Sequence, residues 1–320
     1  MENLQKQITS MERKIVGVVS GKGGVGKTSI TASLASLAKQ DSMTKVIVLD
    51  CDVDAPNLAI ILPPESESTI KKQDTFTTLK AEFLEDQCIN CKQCIDDHFC
   101  EFNALNWDNQ NSIPIIDYLK CEGCGACKVL CPQHAFNVYV VKSGEIISYK
   151  SKMGIPLIYG KTQLGSTTSG KLVSDSKEYV KNLKEFGKSN LILIDGPPGI
   201  GCPVIATVAN LDYVITICEP TPSGLHDLIR VIEVIHQFNI PFGVVVNKSD
   251  LVSPFQNDFN KYINDTAYNI IGKIPFDIAI PKAMSFAETV IDYAPNSKAS
   301  LAIKQIYKNL KEILWNNALT

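Results

Sequence analysis

Residues 20–29 read Ser20-Gly21-Lys22-Gly23-Gly24-Val25-Gly26-Lys27-Thr28-Ser29. Gly21, Gly26, Lys27 and Thr28 satisfy G-x-x-x-x-G-K-[ST], the pattern of a phosphate-binding loop. Glycines there let backbone N–H groups approach the phosphates, the lysine reaches the β- and γ-phosphates, and the hydroxyl serves magnesium. The pattern carries this meaning only between a strand and a helix, and the flanks supply both. Residues 14–20, KIVGVVS, form a β-branched run suited to a buried parallel strand, and residues 29–39, SITASLASLAK, place alanine and leucine at helical spacing. Lys22 is surplus to the pattern.

Working outward, residues 45–49 predict a second strand that leads into Asp50-Cys51-Asp52-Val53-Asp54-Ala55-Pro56-Asn57-Leu58. LILID at 191–195, YVITIC at 213–218 and FGVVVN at 242–247 are further continuous apolar runs, separated by helical patterns. Such runs predict an α/β fold: a mostly parallel sheet with helices on both faces. The pattern breaks at residues 81–142, where cysteines crowd and no helix of normal length fits. Residues 142–172 then read as loop and edge strand, and a helix is predicted over 173–186. The expected organisation is a nucleotide domain formed by residues 1–80 and 143–320, interrupted by a small α+β insertion at 81–142.

The chain has 320 residues, 45% of them hydrophobic and 20% charged, enough for a substantial core. No apolar run approaches the ~20 residues that span a bilayer. The N-terminal MENLQKQITSMERK lacks the apolar stretch of a secretory signal, so a cytoplasmic location is expected. In that reducing setting, 11 cysteines with eight of them between Cys88 and Cys131 argue for metal over disulfides. Residues 81–135 hold nine Asp and Glu against three Lys, and a surface of that sign repels nucleic acid.

The first cysteine run is Cys88-x-x-Cys91-x-x-Cys94, followed by Cys100; the second is Cys121-x-x-Cys124-x-x-Cys127-x-x-x-Cys131-Pro132. The second matches the bacterial ferredoxin pattern, in which soft thiolates hold iron and each fourth cysteine serves the other cluster. Two [4Fe-4S] centres are therefore expected, one on Cys88, Cys91, Cys94 and Cys131, the other on Cys100, Cys121, Cys124 and Cys127. Zinc is the competing occupant of paired CxxC runs. The first run departs from the pattern between Cys94 and Cys100, which are two residues further apart than usual, and His98 lies in that loop as a substitute ligand or a solvated side chain. Cys51 and Cys218 are expected to be buried small residues.

The string KGGVGKTS resembles the deviant phosphate loop of the MinD/ParA superfamily, which includes the nitrogenase iron protein. The resemblance implies that ATP is held by Gly21, Lys22, Gly23, Gly24, Val25, Gly26, Lys27, Thr28 and Ser29, and that Lys22 reaches across a dimer to the partner's phosphates. A cation delivered in trans would make hydrolysis depend on assembly. Asp50 and Asp52 resemble the family's paired aspartates: Asp52 would orient the attacking water and Asp50 support magnesium. Asp54 is either a third member or a cap on the turn at Ala55-Pro56. Asp195-Gly196-Pro197-Pro198-Gly199 resembles the family's second switch, with Asp195 serving magnesium beside Thr28 and Gly199 sensing the γ-phosphate. Asn247 resembles the base-binding step, and Pro275 and Asp277 mark the opposite wall of the base pocket or a structural turn. Cys202 follows Asp195 by seven residues, as the cluster cysteine of the nitrogenase iron protein does. A second cysteine near residues 143–180 is absent, so a cluster bridging subunits is not expected.

Taken whole, the chain resembles MinD-superfamily P-loop ATPases that carry an inserted ferredoxin domain. That implies ATP, Mg2+ and two [4Fe-4S] clusters, a homodimer or a dimer with a paralogous subunit, and a redox or metal-cofactor partner protein. Hydrolysis would be coupled to electron transfer or to iron–sulfur or metal–sulfur cofactor assembly. Two alternatives stand beside this: a metallochaperone, and a positioning switch that binds membrane through the amphipathic residues 301–315. Packing on the sheet explains that last face equally well.

Overall fold

The computed structural model describes residues 12–166, 168–251, 255–266 and 268–316. Most of the polar N-terminal stretch and Thr167 lie outside the described residues. Its main sheet has nine strands: β1 (Lys14–Ser20), β2 (Val46–Asp50), β3 (Lys71–Phe83), β6 (Phe136–Lys150), β7 (Pro156–Thr162), β8 (Leu191–Pro198), β9 (Tyr213–Cys218), β10 (Phe242–Asn247) and β11 (Ile270–Ile274). Their order is β11-β10-β9-β1-β8-β2-β7-β6-β3. The first seven in that order run parallel. β2 and β9 are buried along their whole length, which is why the apolar runs read continuously.

Helices cover both faces. On one, α1 (Lys27–Gln40) and the last long helix, Lys298–Lys311, pack with Val16, Val48, Leu193 and Ile215. On the other, helices Ser169–Lys181, Cys202–Val208 and Pro222–Gln237 pack with Val19, Ile47, Ile194 and Val214. The C-terminal helix spends its apolar face on the sheet: Ile303, Ile306, Tyr307, Leu310 and Leu314 are all buried. Of the two explanations for the amphipathic residues 301–315, the buried face is the one that packing on the sheet gives. Among the described residues no helix is long and apolar enough to cross a bilayer.

Residues 142–172 contain more strand than their glycines suggest. β7 is internal, pairing with β2 on one side and β6 on the other, so the expected edge strand is a covered one. The helix after it spans Ser169–Lys181, starting earlier than its apolar residues indicate because the polar SGK opens its first turn. β3 and β6 form a long antiparallel ribbon whose ends are Phe83 and Phe136, paired across the strands with ring centroids 5.7 Å apart. The cysteine-bearing residues 84–135 hang between those ends and contain a small hairpin of β4 (Leu105–Asp108) and β5 (Ile113–Ile116). The ribbon is tied to the segment after β7 by hydroxyls: Thr78 meets Ser166, and both Thr77 and Thr78 meet Thr168, at 2.8–3.0 Å, while Thr75 and Thr77 meet Ser143 within the ribbon itself.

Candidate functional site

β1 delivers the chain into the loop at 20–26, and the loop ends where α1 begins. Gly24 (φ 77°) and Gly26 (φ 93°) take left-handed backbone there, and a Cβ at Gly26 would lie 2.6 Å from the Asn247 amide nitrogen. The N-terminus of α1 so faces an open cavity of about 660 Å³, whose lining includes Gly24, Lys27, Thr28, Asp52, Asn247 and Phe276. A cavity this size, at the C-terminal ends of parallel strands, is where an α/β sheet binds a nucleotide.

Lys27 is 7% exposed. Burial pulls its pKa down, against the opposing pull of the Asp195, Asp52 and Asp50 carboxylates. Asp195, from the end of β8, accepts hydrogen bonds from Thr28 Oγ1 at 2.7 Å and Thr31 Oγ1 at 2.9 Å. Its pKa is raised to about 6, chiefly by burial, with the two threonines and Lys27 pulling the other way. Thr28 and Asp195 thus form a pair of oxygens beside the loop, suited to a hard cation.

Asp50 is fully buried, and both its oxygens are taken, by the backbone N–H of Asp52 at 2.9 Å and of Leu58 at 3.0 Å. It fixes the turn that presents Asp52, a positioning role that a motif alone does not reveal. Asp52 lines the cavity, and its pKa is raised mainly by burial. Asp54 stands apart, accepting from Thr162 Oγ1 at 2.8 Å.

The two ends of the Asn247 amide are engaged by backbone: Nδ2 donates to Val25 O at 2.8 Å and Oδ1 accepts from Lys248 N at 2.9 Å. Asn247 braces the loop from beneath the cavity. Asp277 borders the cavity too, but its carboxylate receives Ala279 N at 2.9 Å and Ala299 N at 3.0 Å, holding two helix starts. The apolar wall is made by Phe276, Ile280, Pro281 and Met284; of these only Phe276 fell within the stretch singled out from sequence. Their signal was the apolar run after β11, which looks like ordinary core. Pro275 is not among the lining residues.

Lys22 points away from this cavity. It is exposed, and its ammonium approaches Ser223 Oγ at 3.5 Å, on the helix Pro222–Gln237. Gly199 takes a left-handed φ of 96° at the end of the Asp195 segment, and Cys202 follows it, exposed, at the first turn of helix Cys202–Val208. Cys51 and Cys218 are buried, as their apolar neighbours indicate.

The eight crowded cysteines divide into two sets. Cys88, Cys91, Cys94 and Cys131 line one small pocket together with Trp107 and Phe99; Cys100, Cys121, Cys124 and Cys127 line another. The two runs share a backbone form: Asn90 and Gly123, and likewise Lys92 and Gly125, have positive φ between 58° and 79°. Burial, reinforced by the neighbouring thiols Cys91, Cys131 and Cys88, pushes the Cys94 thiol up to about 11. The long Cys94–Cys100 loop buries Phe99 and leaves His98 exposed outside both pockets. Among the described residues no group of three or more His, Cys, Asp or Glu side chains is gathered for a single metal ion. A four-iron cluster asks for something else, since each thiolate takes its own iron and the ligands ring a space. Two quartets, each around one pocket, have that form.

Comparison with known proteins agrees with the nucleotide half. The model of the CobQ/CobB/MinD/ParA nucleotide binding domain matches residues 16–290. The chain is 37% identical over 301 residues to the uncharacterized protein MJ0578 of Methanocaldococcus jannaschii, covering 93% of this chain and 97% of that one. It is 24% identical to the iron-sulfur cluster carrier protein of Pyrococcus abyssi, covering 97% of this chain and 92% of that protein. Among solved structures, the septum site-determining protein MinD of Pyrococcus horikoshii, complexed with Mg-ADP, superposes with a TM-score of 0.57 at 16% identity, covering 94% and 97% of the two chains. The chain belongs to the CobQ/CobB/MinD/ParA nucleotide-binding family of P-loop ATPases.

Proposed function

We propose that this protein hydrolyses ATP and carries two [4Fe-4S] clusters, coupling nucleotide-driven dimerisation to electron transfer or to iron–sulfur cofactor assembly. The observation that carries this reading is the arrangement of the cysteines: two quartets around two pockets, on a ribbon continuous with the nucleotide-binding sheet. The nucleotide unit is residues 1–80 and 143–320, and the cluster unit is residues 81–142.

In the nucleotide site Lys27 neutralises phosphate charge from a buried position, where its field is weakly screened. Thr28 and Asp195 offer the oxygens for magnesium, and Asp52 holds the attacking water, its turn fixed by Asp50. Lys22, exposed and directed out of its own cavity, is free to serve a second subunit's phosphates. Two relatives from one organism, MJ0578 and MJ0579, support pairing with a paralogous subunit as well as with a second copy. When bound, the clusters supply one-electron redox chemistry.

Anaerobic purification with iron and sulfide counting, followed by electron paramagnetic resonance with and without MgATP, tests the proposal. Roughly eight irons per chain, ATP turnover, and a spectrum that changes with MgATP are expected. A loaded chain with no turnover and an unchanged spectrum refutes the coupling. The name of the Pyrococcus relatives favours a second reading, a carrier that hands its clusters on. Loss of iron to an apo-acceptor, which pure electron transfer does not produce, separates the two.

A further inference from the structure

Two lysines of the described chain are buried, and their surroundings differ. Lys27 faces three carboxylates, those of Asp195, Asp52 and Asp50. Lys80, on β3, is 5% exposed and has no ion pair among the described residues; its ammonium donates to one acceptor, the carbonyl of Cys121, at 2.6 Å. Lys177, only partly buried, is better served, ending on the carbonyls of Ala206, Thr207 and Ala209. A buried ammonium with one neutral acceptor is costly unless a counter-charge stands near it.

The neighbourhood of Lys80 says where that charge belongs. The next residue, Ala81, points its N–H at Cys121 Sγ at 3.4 Å, and the following turn is pressed against β3 so closely that a Cβ on Gly123 would meet Leu79 O at 2.2 Å. Ala81 also lines the pocket of Cys100, Cys121, Cys124 and Cys127. β3 thus backs the second quartet through Ala81, and Lys80, one residue earlier and outside the pocket's lining, brings its cation to the Cys121 backbone. Among the described residues the first quartet has no buried lysine beside it: its pocket is bordered by Lys92, which is exposed and lies 5.9 Å from the Trp107 ring centroid.

We propose that Lys80 is the fixed counter-charge of the second quartet's cluster, and that it raises that cluster's reduction potential. The inference rests on reading the quartets as cluster ligands. Four thiolates give such a centre a net negative charge that grows by one on reduction, so a nearby cation favours the reduced form. Being buried, Lys80 acts with little screening by salt, whereas Lys92 is screened.

The test uses the full chain, loaded anaerobically, with iron counted and both midpoints read by redox titration under electron paramagnetic resonance. Lys80→Gln keeps a donor for the Cys121 carbonyl and removes the charge; Lys80→Arg keeps the charge. Lys80→Gln is expected to shift one centre about tenfold toward its oxidised form, about 59 mV for one electron, at low and high salt alike. Lys80→Arg should stay near the wild-type midpoint. If Lys80→Gln instead sheds about half the iron and Lys80→Arg does not, the counter-charge is supported through binding. Unchanged midpoints with full iron, or equal iron loss in both variants, overturns it. A wild-type chain that binds no iron refutes the cluster reading itself, a separate outcome visible in the first measurement.

Discussion

Replacing Asp195 by asparagine should stabilise the protein while disabling the proposed magnesium–nucleotide site. Asp195 is completely buried, and burial lifts its pKa from the ordinary 3.8 to about 6. The folded state therefore favours the protonated acid. Between those two values the folded chain binds more protons than the unfolded one, so stability falls as pH rises through the window and stays low above it. The full cost of ionised Asp195 is about 3 kcal/mol, at ~1.4 kcal/mol per tenfold change in proton affinity. The asparagine amide would remain in hydrogen-bond reach of Thr28 and Thr31, whose hydroxyls can accept as well as donate. Thermal melts of the nucleotide-free chain should show Asp195→Asn melting higher at pH 7.5, by roughly 2–4 °C for each kcal/mol at most. The gain should shrink toward pH 5, where wild-type Asp195 is itself mostly protonated. A variant that melts at or below wild type at pH 7.5, or a gain equal at both pH values, would sink the reasoning. MgADP should raise the wild-type melting temperature and leave the variant's nearly unmoved.

Two further outcomes follow from single residues. Lys22→Gln should leave equilibrium nucleotide binding within about threefold of wild type, because the side chain is exposed and outside its own cavity. It should abolish ATP turnover; undiminished turnover would return Lys22 to the solvent. Gly123→Ala puts a Cβ 2.2 Å from Leu79 O at a φ of 65°, a combination of overlap and strained backbone worth about 1–3 kcal/mol. Iron retention should fall in that variant, while Gly187→Ala, where a Cβ meets nothing within 4 Å, serves as the control.

The parallel strands were legible because burial on both faces leaves no polar alternation to confuse them, and the phosphate loop because its glycines are required by backbone form. The ribbon was not. Residues 71–80, KKQDTFTTLK, carry lysines and threonines, and an edge strand exposed over much of its length gives little apolar signal. The cavity's apolar wall was missed for the converse reason: Ile280 and Met284 look like core until the cavity beside them is seen. Asp50 and Asn247 show a further limit. Their residue types pointed to ligand contacts, but which of their atoms are already spent on backbone depends on turns that spacing does not encode. The grouping of the cysteines, by contrast, follows their spacing, since a shared run of turns fixes which of them border one pocket.

The pairing of Phe83 with Phe136 gives the protein a seam. The chain leaves the ribbon and returns to it at neighbouring positions, so residues 84–135 form a cassette whose removal asks only for a short turn to rejoin two strands already in register. Closing so short a gap costs little chain entropy. A gene could acquire, lose or exchange such a cassette without disturbing the register of the main sheet, and an engineer could graft a different module at the same two phenylalanines.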